Sequence, residues 1–239
     1  MIPRIIHQVY GTFEDNVDIN DIPLYATQVS KTRQFCETHN IDYKIWGSQE
    51  CRELLNKYPQ YSLKLRWPSV CRNRSVDILK ERPDLVEKMN NFREKVMRAD
   101  FIRYLILFDQ GGLYVDCDIS PIHSIDELLH KNEFFVRWNN DKRELPYNAV
   151  LGSVKNSNLY SNIIQHLIQS YQEKSQMEIY NKWKGRFVFQ TTGHYMLQRV
   201  LKKYPQTERL DILKIHNKKG EVIQGTNPLF EDYNVSYWF

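Results

Sequence analysis

Two aspartates separated by one residue, Asp116 and Asp118, are the side chains in this sequence best suited to chemistry. They follow residues 113–115, a short apolar run of the kind that forms a buried β-strand. In a strand, residues i and i+2 point to the same face, so we predict that both carboxylates aim at one spot. Two such anions repel each other unless a hard cation lies between them. The pair therefore predicts a divalent metal ion that holds a diphosphate, at the end of a core strand where α/β folds bind ligands.

The same pair also has a purely structural interpretation. Asp116 and Asp118 can cap the turn that leads into Ser120 and Pro121. A D-x-D pair alone is a weak signal in a chain with 29 acidic residues. The residues before the pair are more specific, and they favour the ligand site.

Residues 92–108 predict a helix, because they contain neither glycine nor proline. Gly111 and Gly112 follow and favour the positive φ that ends helices. Apolar side chains cover nearly the whole circumference of this helix, so it should be buried. Asp100 and Arg103 lie within it and must be compensated. Either they form an i,i+3 ion pair with each other, or both reach a polar ligand lying over the sheet.

Two segments of the sequence resemble one known family. Residues 98–118 read R-A-D-x-x-R-Y-x-x-L-x-x-x-G-G-x-Y-x-D-x-D, and residues 2–10 read I-P-R-I-I-H-Q-V-Y. In this order they resemble the D-x-D glycosyltransferases of the family 32 type and, more distantly, the large clostridial glucosylating toxins. The two motifs span most of the chain between them.

The resemblance implies a fold, an activity and a cofactor. The fold would be α/β of the GT-A type, with a Rossmann-like, mostly parallel sheet flanked by helices. The activity would be retaining transfer of a hexose from a UDP- or GDP-linked donor to a glycan or protein acceptor, with Mn²⁺ or Mg²⁺. We expect one domain over residues 1–239, with a helical insertion near 59–90 and a C-terminal active-site tail near 226–239.

The motif positions assign roles to four candidate catalytic residues. By resemblance, Asp118 binds the metal directly, and Asp116 contacts the ribose, or the ion through water. Asp100 and Arg103 match positions that hold the sugar hydroxyls and lie beside the diphosphate. The sequence supplies no evident nucleophile or general base, which agrees with same-face, retaining transfer.

Other donor-binding candidates rest on the same resemblance. The family binds the nucleoside at the end of the first strand, which here supplies His7, Gln8, Val9 and Tyr10, with Tyr10 in place of the family's usual tryptophan. We expect His7 to be a polar wall residue and not a catalytic base. Tyr114 either packs on the nucleotide or fills the core.

Three further candidates come from the second half of the chain. Asn148 resembles the family's asparagine near the transferred sugar. Thr192 and Gly193 resemble its T-G-P element, in which His194 replaces the proline.

The end of the sequence resembles a tail that closes the family's active site. Asn234 and Ser236 would supply oxygen ligands to the metal, and Trp238 would cover the diphosphate. The alternative is a terminus whose aromatic residues dock nonspecifically.

Composition agrees with a single α/β domain. The chain has 239 residues, of which 41% are hydrophobic, enough for a sizeable core. A net charge of +4 without a dense basic run argues against nucleic acid as a partner. Four cysteines without zinc spacing indicate free thiols in a reducing compartment. We find no signal peptide or membrane segment in the given chain and expect a cytoplasmic protein.

The remaining pattern alternates strands and helices, which predicts a mostly parallel sheet covered by helices. Besides residues 113–115, we predict strands at 4–10, 43–46, 133–138, 148–154 and 211–216. We predict helices at 23–36, 48–58 and 157–172, and a further helix opened by residues 191–193 with a threonine N-cap. We expect the strand at 211–216 to be the last one and to lead into an irregular tail that ends with residues 232–239.

Two other function classes stay open at this point. A nucleotide-sugar hydrolase or phosphotransferase would use the same aspartates but would not depend on an acceptor. An inactive nucleotide-sugar-binding module would bind donor without turnover. The identities of donor and acceptor do not follow from the motifs, because fold and motif do not fix specificity.

Overall fold

A computed structural model describes residues 1–10, 19–57, 95–138, 145–174, 184–210, 212–216, 222–224 and 228–233. The expected helical insertion at 59–90 lies outside these residues, as do residues 139–144 between two of the predicted strands. So do Asn234, Ser236 and Trp238.

Ten strands and seven α-helices are defined in the described part of the chain. The strands are β1 (Ile5–Val9), β2 (Asp42–Trp46), β3 (Gly112–Val115), β4 (Ile119–Pro121), β5 (Glu133–Trp138), β6 (Leu145–Ser153), β7 (Glu208–Leu210), β8 (Leu213–His216), β9 (Val222–Gln224) and β10 (Phe230–Asp232). The helices are α1 (Pro23–Thr38), α2 (Ser48–Asn56), α3 (Lys95–Gln110), α4 (Asp126–Leu129), α5 (Asn158–Lys174), α6 (Lys184–Thr191) and α7 (His194–Leu201).

The central sheet has six strands in the order β2-β1-β3-β6-β5-β7. Strand β6 is antiparallel to both of its neighbours, while the pairs β1–β2, β1–β3 and β5–β7 are parallel. The other five strands therefore share one direction, which confirms the predicted mostly parallel sheet. Because β1 and β3 are parallel, their carboxyl ends meet at the same edge of the sheet, and Tyr10 and Asp116 follow those ends.

Helix α3 is buried as its sequence predicted. Each side chain from Phe101 to Phe108 is at most 3% exposed. The helix ends where the Gly111 amide donates to the Leu107 carbonyl, and Gly111 and Gly112 have φ of 70° and 94°. A Cβ on Gly112 would lie 2.6 Å from an Ile5 side-chain carbon, so this turn needs glycine for space as well as for its φ. The turn delivers the chain directly from α3 into β3.

A second sheet, which we had not predicted, lies after β3. It has the order β4-β10-β8-β9, with β10 antiparallel to β4 and parallel to β8. Two expectations were therefore wrong. Residues 213–216 are not the last strand, and Asp232 belongs to β10 and not to an irregular tail. These strands have only three or four residues, too few for a clear alternating pattern.

The predicted threonine N-cap is also wrong. Helix α6 ends at Thr191, and the N-cap of α7 is Gly193, which has no side chain to accept a hydrogen bond. The hydroxyl of Thr192 donates to Asp100 instead.

No helix in the described residues is long and apolar enough to cross a bilayer. Cys36, Cys51 and Cys117 are free and buried, as expected for unpaired thiols, and Cys71 lies outside the described part.

Candidate functional site

The guanidinium of Arg103 lies at the centre of the site. Its Nη1 is 3.1 Å from Oδ1 of Asp116 and donates to the Asn148 carbonyl at 2.7 Å. Its Nη2 is 3.4 Å from Oδ1 of Asp100. Because the Arg103 side chain is only 2% exposed, these partners replace the water that would otherwise solvate its charge. Arg103 therefore joins α3 to the end of β3 and to β6.

Asp100 is held by two further donors besides Arg103. The Thr192 hydroxyl donates to its Oδ2 at 2.6 Å, and the Asn148 amide donates to its Oδ1 at 2.8 Å. Burial raises the pKa of the Asp100 carboxyl, while Arg103, Thr192 and Asn148 act in the opposite direction. The i,i+3 pair considered from sequence is thus present. Asp100, Asn148 and Thr192 come together although they lie far apart in sequence.

Asp116 is held by two donors. The Tyr114 hydroxyl donates to its Oδ1 at 2.6 Å, the same oxygen that Nη1 of Arg103 approaches at 3.1 Å. The Tyr114 ring also lies under the Arg103 guanidinium, 4.7 Å from its carbon. Tyr114 is 1% exposed, so in this structure it orients Asp116 and Arg103 from within the core.

The two aspartates of the D-x-D pair do not lie in a strand, which corrects the alternation argument. Strand β3 ends at Val115, and the Asp116 carbonyl accepts a hydrogen bond from the Ile119 amide at 3.0 Å, closing a turn over residues 116–119. The turn directs Asp116 back toward Arg103. Asp118 remains half-buried at the sheet edge.

Two residues of this edge were missed from sequence, Tyr147 and Asp232. The Tyr147 hydroxyl donates to Oδ2 of Asp232 at 3.2 Å, and Asp232 is fully buried. Burial raises the pKa of Tyr147 well above its ordinary value, and the charges of Asp232, Asp118 and Asp116 raise it further. Tyr147 therefore links β6 to Asp232 on β10, and its hydroxyl is exposed to the charge of three carboxylates. A three-residue strand so distant in sequence gives no local signal that could have predicted this arrangement.

Strand β10 brings the C-terminal segment to the D-x-D turn. Asp232 lies opposite Ile119 in the antiparallel register, and the Tyr233 amide donates to the Asp118 carbonyl at 3.4 Å. Tyr233 therefore lies next to Asp118, and Asn234 is the following residue in the sequence.

His7 and Gln8 are fully buried and already bonded. Trp46 donates to Nδ1 of His7 at 3.1 Å, so Nε2 carries the proton and donates to the Gly111 carbonyl at 3.0 Å. Burial lowers the pKa of His7 to about 4. Gln8 donates to the Asp116 carbonyl at 3.1 Å and accepts from Tyr43 at 2.9 Å. Both side chains bond to residues around the sheet edge, and neither has an exposed surface for a ligand.

The last two residues of the first segment lie nearer the surface. The Val9 carbonyl accepts from the Cys117 thiol at 3.3 Å, which ties β1 to the D-x-D turn. Tyr10 is half-buried, and its ring meets that of Tyr25 edge-on at 6.1 Å. Of the four nucleoside candidates, Tyr10 is the one whose ring is placed to contact a base.

The chemistry of the site suits a hard divalent cation. Oxygen atoms of Asp116, Asp118 and Asp232 are the ligand type that Mg²⁺ and Mn²⁺ prefer. Arg103 offsets only part of the negative charge of these carboxylates and of Asp100, so an incoming diphosphate would be repelled without added positive charge. Within the described residues, no three His, Cys, Asp or Glu side chains converge closely enough to form a metal site by themselves. A complete coordination sphere would therefore need other oxygen atoms, from the ligand or from the predicted tail ligands Asn234 and Ser236.

A family model covers the part of this arrangement that lies on α3 and the D-x-D turn. Residues 13–135, about half of the chain, match the glycosyltransferase sugar-binding region containing the DXD motif. The chain belongs to this family. The match includes α3, the D-x-D turn and β4, which confirms the resemblance drawn from residues 98–118.

Proteins of similar sequence are named as mannosyltransferases. The initiation-specific alpha-1,6-mannosyltransferase of Saccharomyces cerevisiae is 27% identical over 166 residues, or 65% of this chain and 33% of the relative. Inositol phosphoceramide mannosyltransferase 3 of Schizosaccharomyces pombe is 26% identical over 131 residues, or 54% of this chain and 28% of the relative. The matches therefore span about a third of the length of these relatives.

A solved structure supports the fold. The PaToxG glycosyltransferase superposes with a TM-score of 0.52 at 14% identity, covering 85% of this chain and 69% of that one. At this identity the likeness concerns the fold alone. The α/β architecture is of the GT-A type, as the resemblance implied.

Proposed function

We propose that this chain is a retaining, metal-dependent glycosyltransferase that moves a hexose from a nucleotide-sugar donor to a glycan or protein acceptor. The observation that carries the proposal is the joint placement of Asp100, Arg103 and Asp116. All three meet at the carboxyl edge of a GT-A sheet, held by contacts between 3.1 and 3.4 Å. This edge is where open α/β sheets bind their ligands.

The donor is proposed to lie across this edge, beginning at β1. Tyr10 would contact the base, and Asp116 would contact the ribose. Arg103 lies beside Asp116 and is suited to the diphosphate, because a guanidinium recognises phosphate oxygens through several donors. Asp100 would accept hydrogen bonds from hydroxyls of the sugar. This order follows the order of the strands β1, β3 and β6.

Asp118 is proposed as the direct metal ligand, with Asp116 reaching the ion through water and Asn234 and Ser236 completing the set. When bound, Mn²⁺ or Mg²⁺ would neutralise charge on the leaving diphosphate. Asp118 is suited to this role because it is half-buried, while Asp116 is already held by Arg103 and Tyr114.

Retention is proposed because the carboxylates near the transferred sugar are already occupied. Asp100 accepts from Thr192 and Asn148, and Asp116 accepts from Tyr114 and Arg103. Neither is therefore placed to act as a general base for an attacking hydroxyl, whereas same-face transfer requires no such base from the protein.

The two relatives favour mannose as the transferred hexose, since both are mannosyltransferases. The test is a panel of GDP-mannose, UDP-glucose and UDP-galactose, each with and without Mn²⁺. Thermal melting reports binding, because a ligand that binds only the native state raises its stability. Nucleotide release and sugar transfer are measured on the same samples, with a mixture of simple methyl glycosides as acceptors.

Three outcomes separate the proposal from its alternatives. Metal-dependent stabilisation, with nucleotide release that rises with acceptor and yields a new glycoside of unchanged anomeric configuration, supports it. Free sugar formed at a rate independent of acceptor indicates a hydrolase. Stabilisation without any turnover indicates an inactive binding module.

A further inference from the structure

We propose that the rings of Phe189, His194 and Tyr195 form the subsite that binds the acceptor, and that the acceptor group bound there is a pyranose ring. We call these three rings the aromatic platform. The inference rests on the proposed function, because the acceptor is the second substrate of the proposed sugar transfer.

The three rings form one cluster at the junction of α6 and α7. Ring centroids of Phe189 and His194 are 4.5 Å apart, as are those of His194 and Tyr195, and Phe189 meets Tyr195 edge-on at 6.5 Å. Phe189 is 38% exposed and the other two are half-buried. A single exposed apolar residue is ordinary on a protein surface, but an aromatic face backed by two further rings is typical of a binding surface.

Gly193 and Thr192 connect the platform to Asp100, the carboxylate proposed to hold the donor sugar. Gly193 lies against Phe189, and a Cβ on Gly193 would be only 3.1 Å from the Phe189 Cα. The preceding residue, Thr192, donates to Asp100 at 2.6 Å. The backbone that carries the platform is therefore fixed directly to the residue proposed to hold the donor sugar.

The order of the strands places the platform on the acceptor side of the donor. Strands β1 and β6 flank β3 on opposite sides. A donor with its base at Tyr10 and its diphosphate at Arg103 would have its sugar at Asp100, on the side where Thr192 lies. The platform residues Phe189, His194 and Tyr195 flank Thr192 in the chain, which puts the platform on that side, where an acceptor can approach the sugar.

The chemistry of the cluster fits a pyranose. The exposed face of Phe189 offers apolar contact to the C–H face of a sugar ring. The Tyr195 hydroxyl and the His194 ring nitrogens can hydrogen-bond the hydroxyls at its edge. Apolar walls with a few polar groups are the usual composition of sites for small polar ligands.

The test measures acceptor binding in the full chain with methyl α-D-mannopyranoside and its gluco and galacto isomers. Saturation-transfer NMR reports direct binding, and steady-state transfer from the donor that the wild type uses gives the acceptor KM. We expect Phe189→Ala to raise the acceptor Kd and KM by about 3- to 10-fold, the range for loss of one aromatic contact. Phe189→Trp should restore most of the affinity, because it restores the face.

The matched control is Phe35→Ala. Phe35 also pairs with a histidine, His39, at 4.2 Å, but on α1, next to Ser120 and Pro121 on β4. This change should leave the acceptor KM within experimental error. Melting temperatures of all variants show whether any change in KM reflects unfolding.

Several results would overturn the inference. If the wild type transfers sugar and Phe189→Ala leaves the acceptor KM unchanged, the platform is not the acceptor subsite. The proposed function would still stand. Equal weakening of nucleotide binding and acceptor binding would assign the platform to the donor instead. Binding of none of the three pyranosides excludes the pyranose assignment. A wild type that neither binds nor turns over nucleotide sugars overturns the proposed function, and this inference with it.

Discussion

The guanidinium of Arg103 lies 3.1 Å from the carboxylate of Asp116, thirteen residues further along the chain, with side chains that are 2% and 18% exposed. Such a pair adds little net stability, because the desolvation of both charges opposes their attraction. Its effect is geometric: Arg103 and the Tyr114 hydroxyl both contact Oδ1 of Asp116, and together they fix the orientation of the carboxylate. The pair makes the sheet edge a defined site before any ligand arrives.

Replacement of Asp118 tests metal dependence. Asp118 is half-buried and lies in a turn, so Asp118→Asn should leave the fold intact, with a change in melting temperature of no more than about 2 °C. Turnover should fall below detection, since the proposed direct metal ligand is lost. Asp42→Asn is the control: Asp42 is exposed at the start of β2, at the opposite edge of the sheet, and its replacement should leave activity unchanged. A folded Asp118→Asn enzyme that transfers sugar normally in EDTA would end the metal hypothesis.

Replacement of Asp100 tests whether it contacts donor. We expect Asp100→Asn to reduce kcat/KM by about 10- to 1000-fold, a few kcal/mol of transition-state binding. Oδ1 and Oδ2 of Asp100 both accept hydrogen bonds, and an amide nitrogen at either position would face a donor. We therefore expect a measurable loss of stability as well. Loss of stability with normal kcat/KM would show that Asp100 serves only the internal network.

Thr192 provides a separate test of how that network positions Asp100. Thr192→Val keeps the shape of the side chain but removes the hydroxyl, leaving one buried carboxylate oxygen without its donor at a cost of about 1–3 kcal/mol. Because a misoriented Asp100 would still be present, kcat should fall more than donor affinity. Thr192→Ser should restore both, since it keeps the hydroxyl. Urea unfolding gives the change in stability of each variant. If Thr192 only packed against its neighbours, the valine and serine variants would lose equal amounts of stability and of kcat.

The parts of the site that sequence predicted are those with a strong local pattern. Helix α3 was predicted because its apolar residues dominate, and its end because Gly111 and Gly112 follow. The geometry of the D-x-D turn was not, because it depends on hydrogen bonds from Ile119 and Gln8 and on the pairing of β4 with β10. These contacts join segments distant in sequence, whose three-residue strands carry no periodicity of their own.

The same limit applies to individual roles. The family position of Thr192 suggested donor contact, yet its hydroxyl is bonded to Asp100. His7 and Gln8 were expected near the nucleoside, but both side chains are buried and bonded within the protein. Sequence could not show that their side chains point into the core, because β1 is covered on both faces and its apolar and polar residues do not alternate.

His7 predicts a pH dependence of stability. Its pKa is lowered from 6.5 to about 4 in the folded protein, so the neutral form is favoured on folding. As pH falls below 6.5, the unfolded chain takes up a proton that the folded protein does not, and stability is lost until about pH 4. The full loss is on the order of 3 kcal/mol. Above pH 6.5 this contribution is complete and constant.

Two measurements check this dependence. NMR titration of the wild-type protein should show no protonation of His7 between pH 7 and about pH 5. Urea unfolding at pH 7 and pH 5 should show lower stability at pH 5, and His7→Gln should flatten that difference even if it lowers stability overall. A His7 resonance that titrates near 6.5 would contradict the buried, bonded arrangement.

The C-terminal tail gives the last prediction. Because β10 pairs with β4 and β8, and Glu231 lies 3.0 Å from Lys214, a truncation that begins at residue 231 would damage the second sheet. Removal of residues 234–239 keeps β10 and deletes the proposed ligands Asn234 and Ser236 and the cover Trp238. We expect this shorter protein to melt like the wild type, to bind donor more weakly and to lose nearly all transfer.

Closure of the tail over the donor excludes water, so the little activity that the truncated protein keeps should shift toward hydrolysis. In the intact protein, donor with Mn²⁺ should protect the tail from proteolysis. Equal cleavage with and without ligand, together with full activity of the truncated protein, would show that the tail is only a docked terminus.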